Sequence, residues 1–189
     1  ALPISSLHSA ITADGADLVR DNTVDLTFGS MVDVPADIDY APAYRFEHML
    51  IAPPDHPLAS RRTLDRADIA AHELILPPRR QVTLRLVDQV FQRNRVPYHV
   101  ALEVDGWEVI KQYVAMGMGI SIVSSVCLNE NDAERLAILP LGGLFPARSY
   151  GVIMRKGRML PPPARAFVEL VQPGLFERGD ARCCGHSEH

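Results

Sequence analysis

Two hydroxyls and a pair of guanidinium groups are the side chains best placed to do chemistry. Ser30 follows Val24, Leu26 and Phe28, whose alternation with Asp25, Thr27 and Gly29 reads as a strand with one more polar side. Ligands of open α/β sheets lie beyond the carboxyl ends of strands, so Ser30 stands either where a hydroxyl meets a ligand or where it satisfies its own turn. Thr83 precedes Leu86, Val87, Val90 and Phe91, which form one face of a helix, and it reads as that helix's N-cap. Arg79, Arg80 and Gln81 stand just before it. A helix start with unpaired N–H groups, a hydroxyl and two guanidinium groups is an anion site in principle; the alternative is a capped helix with two solvated arginines.

Other constellations do not lead to chemistry. Asp55 and His56 fall among Pro53, Pro54 and Pro57, which makes a rigid surface turn a better reading than acid–base catalysis. Gly117-Met118-Gly119 continues as Ile120-Ser121-Ile122, so it lacks the third glycine of a dinucleotide fingerprint and precedes a strand instead of following one. There is no G-x-S-x-G, P-loop or HExxH. Cys183, Cys184, His186 and His189 are soft-metal ligands by type, but they lie in a polar tail expected to be disordered from residue 177. No metal, no cofactor and no catalytic residue is therefore expected. Trp107 and the six methionines read as packing.

The elements that position Ser30 and Thr83 alternate between strand and helix. The central stretch is residues 105–128, DGWEVIKQYVAMGMGISIVSSVCL. Val109, Ile110, Tyr113, Val114 and Gly117 recur at helical spacing, with Glu108, Lys111 and Gln112 expected to face away. Gly117 and Gly119 allow positive φ and end that helix. Ile120 to Val123 then reads as a strand covered on both faces, and Ser124 or Ser125 as the cap of a further helix. Along the rest of the chain, strands are expected near residues 4–7, 46–52, 73–76, 98–104, 136–141 and 150–154. Helices are expected after Asp14, after Thr63 and after Pro161 to Pro163, the last with Ala164, Phe167, Val168 and Val171 on one face. Residues 31–43, with Pro35 and Pro42, read as a connector, and 129–135 as a polar loop. Gly142-Gly143 is a hinge candidate.

Length and charge set the outer limits. With 189 residues, 47% hydrophobic and 22% charged, the chain can bury one core or two small lobes that share a cleft. A formal charge of -4 gives no global attraction to nucleic acid. Three cysteines make no disulfide framework, and no apolar run reaches spanning length, so a soluble cytoplasmic chain without membrane contact is expected. The opening ALPISSLHSA carries neither methionine nor signal-peptide pattern, which suggests a missing piece in front. Alternating strands and helices argue for α/β layers. The proline-marked crossing near Pro42 and the glycine-marked one near residues 141–143 divide the chain into residues 1–43 with 141–176 as one lobe and 44–140 as the other.

The sequence resembles the effector-binding domain of LysR-type transcriptional regulators, over most of its length. The resemblance rests on Val24-Asp25-Leu26, on PDHPLA at residues 54–59 and on VAMGMGI at residues 114–120, in that order and spacing. The EVIKQYVAMGMGISIVSS run and GLF at residues 143–145 look most like the CysB-type branch, which controls sulfur assimilation. The resemblance implies a two-lobed, type 2 periplasmic-binding-protein-like α/β fold, incomplete at its N-terminus, with a small anion or acetylserine-like effector held between the lobes. It implies that Ser30 and either Val82 or Thr83 match threonines of that branch which meet the anion, and of these two only Thr83 carries a hydroxyl. The expected effector-binding set is Ser30, Gln81, Val82, Thr83, Asp105 and Gly106. The branch opens its domain with a strand and a threonine-rich loop that find no match here, and DNA is expected to be read only through a separate winged helix-turn-helix, in a homo-oligomer. A solute-binding protein of a transporter is the alternative on the same fold.

Overall fold

A computed structural model describes residues 12–174 other than Val32. The predicted strand at residues 4–7 and the tail from residue 177, with its cysteines and histidines, lie outside the described residues. The chain falls into two compact units: one contains the described residues up to Arg45 together with those from Ser149 onward, and the other is Phe46–Arg148.

The first unit opens with helix α1 (Thr12–Arg20), in which Asp14 is internal and not the expected cap. Strand β1 (Thr27–Gly29) follows and is shorter than its alternating pattern suggested. Strand β2 (Ile38–Phe46) is a correction, because residues 31–43 read as a connector on the strength of their prolines. The sheet order β1-β8-β2 resolves the conflict: β2 is an edge strand, and an edge tolerates Pro42, which has no N–H to donate. Strand β8 (Arg148–Arg155) runs antiparallel to β1, pairing Phe28 with Val152. At Gly151 a Cβ would sit 2.1 Å from the Ala41 carbonyl oxygen, so this crossing requires glycine. Helix α5 (Pro162–Val171) begins at the predicted prolines and buries Val168.

In the second unit, strand β3 (His48–Ala52) is the centre of an antiparallel sheet of order β6-β3-β7. Helix α2 (Arg66–Ala70) is capped by Asp65 with Asp68 in a reciprocal capping box, which displaces the expected cap at Thr63. Strand β4 (Leu74–Leu76), helix α3 (Val82–Arg93) and strand β5 (Val100–Glu103) form a parallel β-α-β unit. Helix α4 (Trp107–Ala115) leads through the glycines to strand β6 (Ser121–Ser124), which is buried at every position as its sequence predicted. Gly117 has φ 81° and Gly119 φ 154°. At Gly119 a Cβ would lie 2.6 Å from the Glu73 carbonyl, and that same carbonyl accepts from the Ile120 N–H at 2.9 Å. The double glycine therefore joins α4 to β6 and lets β6 start beside β4. After β6 comes one 3₁₀ turn, Ser125–Cys127, instead of a helix, with no side-chain cap from Ser124. The predicted strand near residues 136–141 is β7 (Ala137–Pro140).

Strand alternation gives the sheet two faces. Leu50, Ala52 and Ile122 pack with Leu84, Val87 and Phe91 of α3, while Ile51 and Val123 pack with Ile110 and Val114 of α4. The buried stripe of α4 is rotated from the expected one. Val109 is 39% exposed and Lys111, expected to face water, is fully buried. Its ammonium donates to Asp132 Oδ2 at 2.7 Å and to the Cys127 carbonyl at 3.1 Å, and it pairs with Glu108 at 2.5 Å. Asp132, also buried, sits in a 3₁₀ turn (Glu130–Glu134) capped by Asn129, in what read as a polar loop.

Burial alone would raise the Asp132 pKa, but hydrogen bonds from Lys111, the Asn129 N–H and Arg135 outweigh it and bring the carboxyl down to about 2. A folded pKa below the unfolded one gives stability that is present at neutral pH and lost as pH falls from about 3.8 toward about 2. Lys111→Ala leaves a buried carboxylate without its main partner and is expected to destabilise this unit by about 3–5 kcal/mol in urea unfolding. A loss under about 1 kcal/mol would show the pair to be dispensable.

Candidate functional site

The second unit gathers most of the candidate residues around the start of α3. Gln81 is the N-cap of α3, and Val82 and Thr83 are its first two residues. The Gln81 side chain does not cap the helix; its Nε2 donates to Asp105 Oδ1 at 2.9 Å. Arg80 pairs with the other oxygen of the same carboxylate. Gln81 and Asp105, chosen as separate candidates, are thus hydrogen-bonded to each other, and Asp105 offsets the Arg80 charge that was to attract an anion. Gly106 is the N-cap of α4, with φ 94°. Ser30 belongs to the first unit, immediately after β1, and is buried.

Thr83 is not the cap of this helix. An N-cap has extended backbone, which occurs at Gln81, so Thr83 falls inside the first turn. There it is 1% exposed, and its Oγ1 accepts from Arg148 Nη1 at 2.7 Å. The first intrahelical bond runs from the Arg85 N–H to the Gln81 carbonyl at 3.4 Å. The N–H groups of Val82, Thr83 and Leu84 precede it and give this end of α3 its partial positive charge.

Arg148, 7% exposed, opens β8 at the boundary of the unit and was absent from the sequence candidates. His48 and Ser124 were absent from them too. They are register partners across β3 and β6, which places both on the sheet face that α3 covers. Both are buried, neither ring nitrogen of His48 makes a hydrogen bond of normal geometry, and Ser124 Oγ has no partner. Phe145 packs beside the imidazole, ring centroids 6.2 Å apart. Burial, and then the Arg148 charge, push the His48 pKa down to about 4, against a smaller opposite pull from the Pro146 carbonyl. At neutral pH the ring is neutral, with one donor and one acceptor nitrogen. Ser121 Oγ is buried without a partner as well, but it pairs with Ile51 and faces the other side of the sheet.

Arg148 also touches the electrostatics of Cys127. Burial pushes that thiol up to about 11 against the pull of Arg148 and Lys111. It stays protonated at neutral pH and is a poor nucleophile. His56 proves structural: its Nδ1 accepts from the Leu58 N–H at 3.3 Å and caps a 3₁₀ turn, while its ring meets His72 edge-on at 4.5 Å. Among the described residues, no group of three or more His, Cys, Asp or Glu is placed to hold a metal ion. What remains is a buried, positively charged polar cluster of Thr83, Arg148, His48 and Ser124 next to a helix N-terminus, an arrangement suited to holding an anion.

Comparison with known proteins agrees with the fold. The family model described as LysR substrate binding domain matches residues 5–175. The transcriptional regulator SsuR of Burkholderia cenocepacia is 31% identical over 164 residues, covering 86% of this chain and 53% of the regulator. CysB of the same organism is 28% identical over 134 residues, covering 71% and 43%. The chain spans about half the length of these curated relatives. The crystal structure of the cofactor-binding domain of the Cbl transcriptional regulator superposes with TM-score 0.81 at 26% identity, over 94% of this chain and 78% of that one. The fold is that of the α/β, type 2 periplasmic-binding-protein-like domains of such regulators. Among the described residues, no helix is long and apolar enough to cross a membrane.

His48 gives this cluster a pH signature. Its folded pKa lies below the ordinary 6.5, so between about 6.5 and about 4 the unfolded chain binds a proton that the folded chain does not, and stability falls as pH falls through that window. His48→Leu is expected to flatten this part of the stability curve in urea unfolding followed from about pH 7 to about pH 4.5; an unchanged slope would show that the ring is not buried neutral.

Proposed function

The chain belongs to the LysR substrate-binding domain family, and on that premise we propose that it is the effector-sensing part of a cytoplasmic transcriptional regulator that binds a small anionic metabolite. The observation that carries the reading is the Arg148 to Thr83 hydrogen bond, buried at the first turn of α3. It fixes a positive charge next to helix N–H groups, where an anion gains from both. The likeness to SsuR, CysB and Cbl favours a metabolite of sulfur assimilation, as the EVIKQYVAMGMGISIVSS run suggests. These relatives are transcriptional regulators, which favours the regulatory reading over a transporter's solute receptor.

The mechanism is a shift of population. A ligand that binds one conformation of the domain better than another biases the equilibrium by its difference in affinity and no more. In a homo-oligomeric regulator that bias reaches DNA through a winged helix-turn-helix carried elsewhere in the protein, since a net charge of -4 gives this chain no attraction of its own for DNA. No step in this scheme is catalytic.

Calorimetric titration with sulfate, phosphate and small carboxylates tests the anion site. Arg148→Gln and Thr83→Val are each expected to weaken binding of the preferred anion by about tenfold, the scale of one charge-assisted hydrogen bond. Undiminished affinity in the double variant would remove the site. Sequencing the coding DNA upstream of Ala1 tests the regulator: a helix-turn-helix in frame is expected, and a secretion signal in its place would favour the solute receptor.

A further inference from the structure

In the first unit, the end of β8 carries three cations within four residues. Arg155 closes the strand, and in the tight turn that follows the Arg158 N–H donates to the Arg155 carbonyl at 3.2 Å. Gly157 holds the third position of this turn at φ 73°, a conformation that favours glycine. The Lys156 N–H donates to the Asp37 carbonyl at 3.0 Å and anchors the turn to the chain just ahead of β2. The Arg158 guanidinium is held on two sides, by Asn22 Oδ1 and by Asp25 Oδ1, each at 2.8 Å. Asn22 lies just after α1, with φ 56°. Together Asn22, Arg155, Lys156, Gly157 and Arg158 line a cavity of about 460 Å³. Two carboxylates beside the turn are already engaged: Asp25 pairs with Arg158, and Asp37 pairs with Arg20 at 2.8 Å. The charge of Arg155 reaches Asp37 without a hydrogen bond between them, and the Lys156 ammonium makes no ion pair among the described residues. No carboxylate lines the cavity. The Asn22 side-chain oxygen is used by Arg158, which leaves only its amide N–H groups. The lining side chains thus offer donors and positive charge, and no free acceptor.

We propose that this cavity is a second ligand site, built without Thr83 or Arg148, and that it takes a small phosphorylated metabolite. Charge and size select that class. A phosphate group carries about −1.5 to −2 charges at neutral pH and three acceptor oxygens, which matches the two cations left without a carboxylate. A guanidinium beside an ammonium supplies both a bidentate fork and a compact point charge. The volume lies in the range of small-molecule sites and exceeds what a bare ion fills, so it leaves room for the organic part of a phosphate ester. The turn is also held in shape before any ligand arrives, by its own backbone bond, by the bond to Asp37 and by the brace on Arg158. A preformed site orders less of itself on binding and keeps more of the interaction energy. The proposal stands apart from the function proposed above, since no residue of the α3 cluster takes part in it.

The test uses this chain, with glycerol 3-phosphate and inorganic phosphate as probes and with glycerol and potassium chloride at matched ionic strength as controls. Binding is read by calorimetry and by the amide resonances of Arg155 to Arg158, which report this turn alone and so separate it from any anion bound at α3. Saturable binding of glycerol 3-phosphate is expected, with shifts in the turn. Arg155→Gln with Lys156→Gln is expected to weaken it by about tenfold. Arg155→Lys with Lys156→Arg keeps both charges and should retain most of the affinity. Both side chains are exposed, so these variants are expected to fold as the unaltered chain does. Arg148→Gln should leave the shifts in the turn unchanged, whatever it does to anion binding at α3. Shifts reproduced by potassium chloride, or undiminished in the double glutamine variant, would overturn the proposal. Inorganic phosphate bound as tightly as the ester would reduce the site to one for an adventitious ion only, and a DNA duplex that shifts the turn at lower concentration than the ester would replace the metabolite with a nucleic-acid backbone.

Discussion

The second unit depends on how it places one buried cation. Lys111 projects from α4 into the space between that helix and the turn after β6, and its ammonium is held there by Asp132, Glu108 and the Cys127 carbonyl. Such a charge is tolerable only with its partners in place, because desolvation of an ammonium costs several kcal/mol. Residues 127–135 would otherwise be a polar loop with little apolar surface to bury. The pairing converts them into a capped turn with Asp132 at its centre, and Arg135 adds a second cation at 2.9 Å. That turn leads directly into Leu136, buried with Ile51 and Ile110, and then β7. The position of the edge strand is in this way tied to a charge on the helix.

The opposite face of the same sheet follows different rules. Under α3 the side chains are mostly apolar, from Leu50 through Val87 to Phe91 and Phe145. Polarity enters only where β3 begins, β6 ends and α3 starts. Because antiparallel strands bring the first residue of one beside the last residue of the other, His48 and Ser124 meet there. The helix N-terminus arrives at the same place because a parallel β-α-β unit directs the start of its helix toward the carboxyl ends of its strands. The polar cluster is therefore a product of topology, assembled from segments far apart in the chain, as the 65-residue separation of Thr83 and Arg148 shows.

Much of this was legible before folding. The run from α4 through the double glycine to β6 was read correctly because each signal in it is local: helical spacing, then glycines at positive φ, then a short apolar strand. The start of α5 after its prolines and the turn around His56 were legible for the same reason. What failed was what depends on partners far away. Strand β2 was hidden because Pro42 reads as a breaker until one knows that it lies on an edge. Thr83 was read wrongly as a cap, since composition cannot tell the N-cap from the second residue of a helix when Gln81 takes the cap and spends its amide on Asp105. Lys111 did leave a trace. It lies four residues after Trp107 and three before Val114, on the stripe that became buried, and an acidic turn follows β6. His48, Ser124 and Arg148 left none, for nothing in an apolar strand's first residue announces what will face it.

Two kinds of buried polarity occur in this sheet. Around Lys111 the ammonium and the Asp132 carboxylate are paired within the chain, although Ser121 Oγ on that face of the sheet is left without a partner. Around His48, apart from the pull of the Pro146 carbonyl, the ring nitrogens and the Ser124 hydroxyl make no hydrogen bond of normal geometry although both residues are buried. If polar burial served only to set the register of β3 and β6, the first arrangement would suffice, and a leucine at position 48 would pack against Phe145 with no atom left wanting. Retaining an imidazole and a hydroxyl there, under the positive field of Arg148, makes physical sense when something else completes the set.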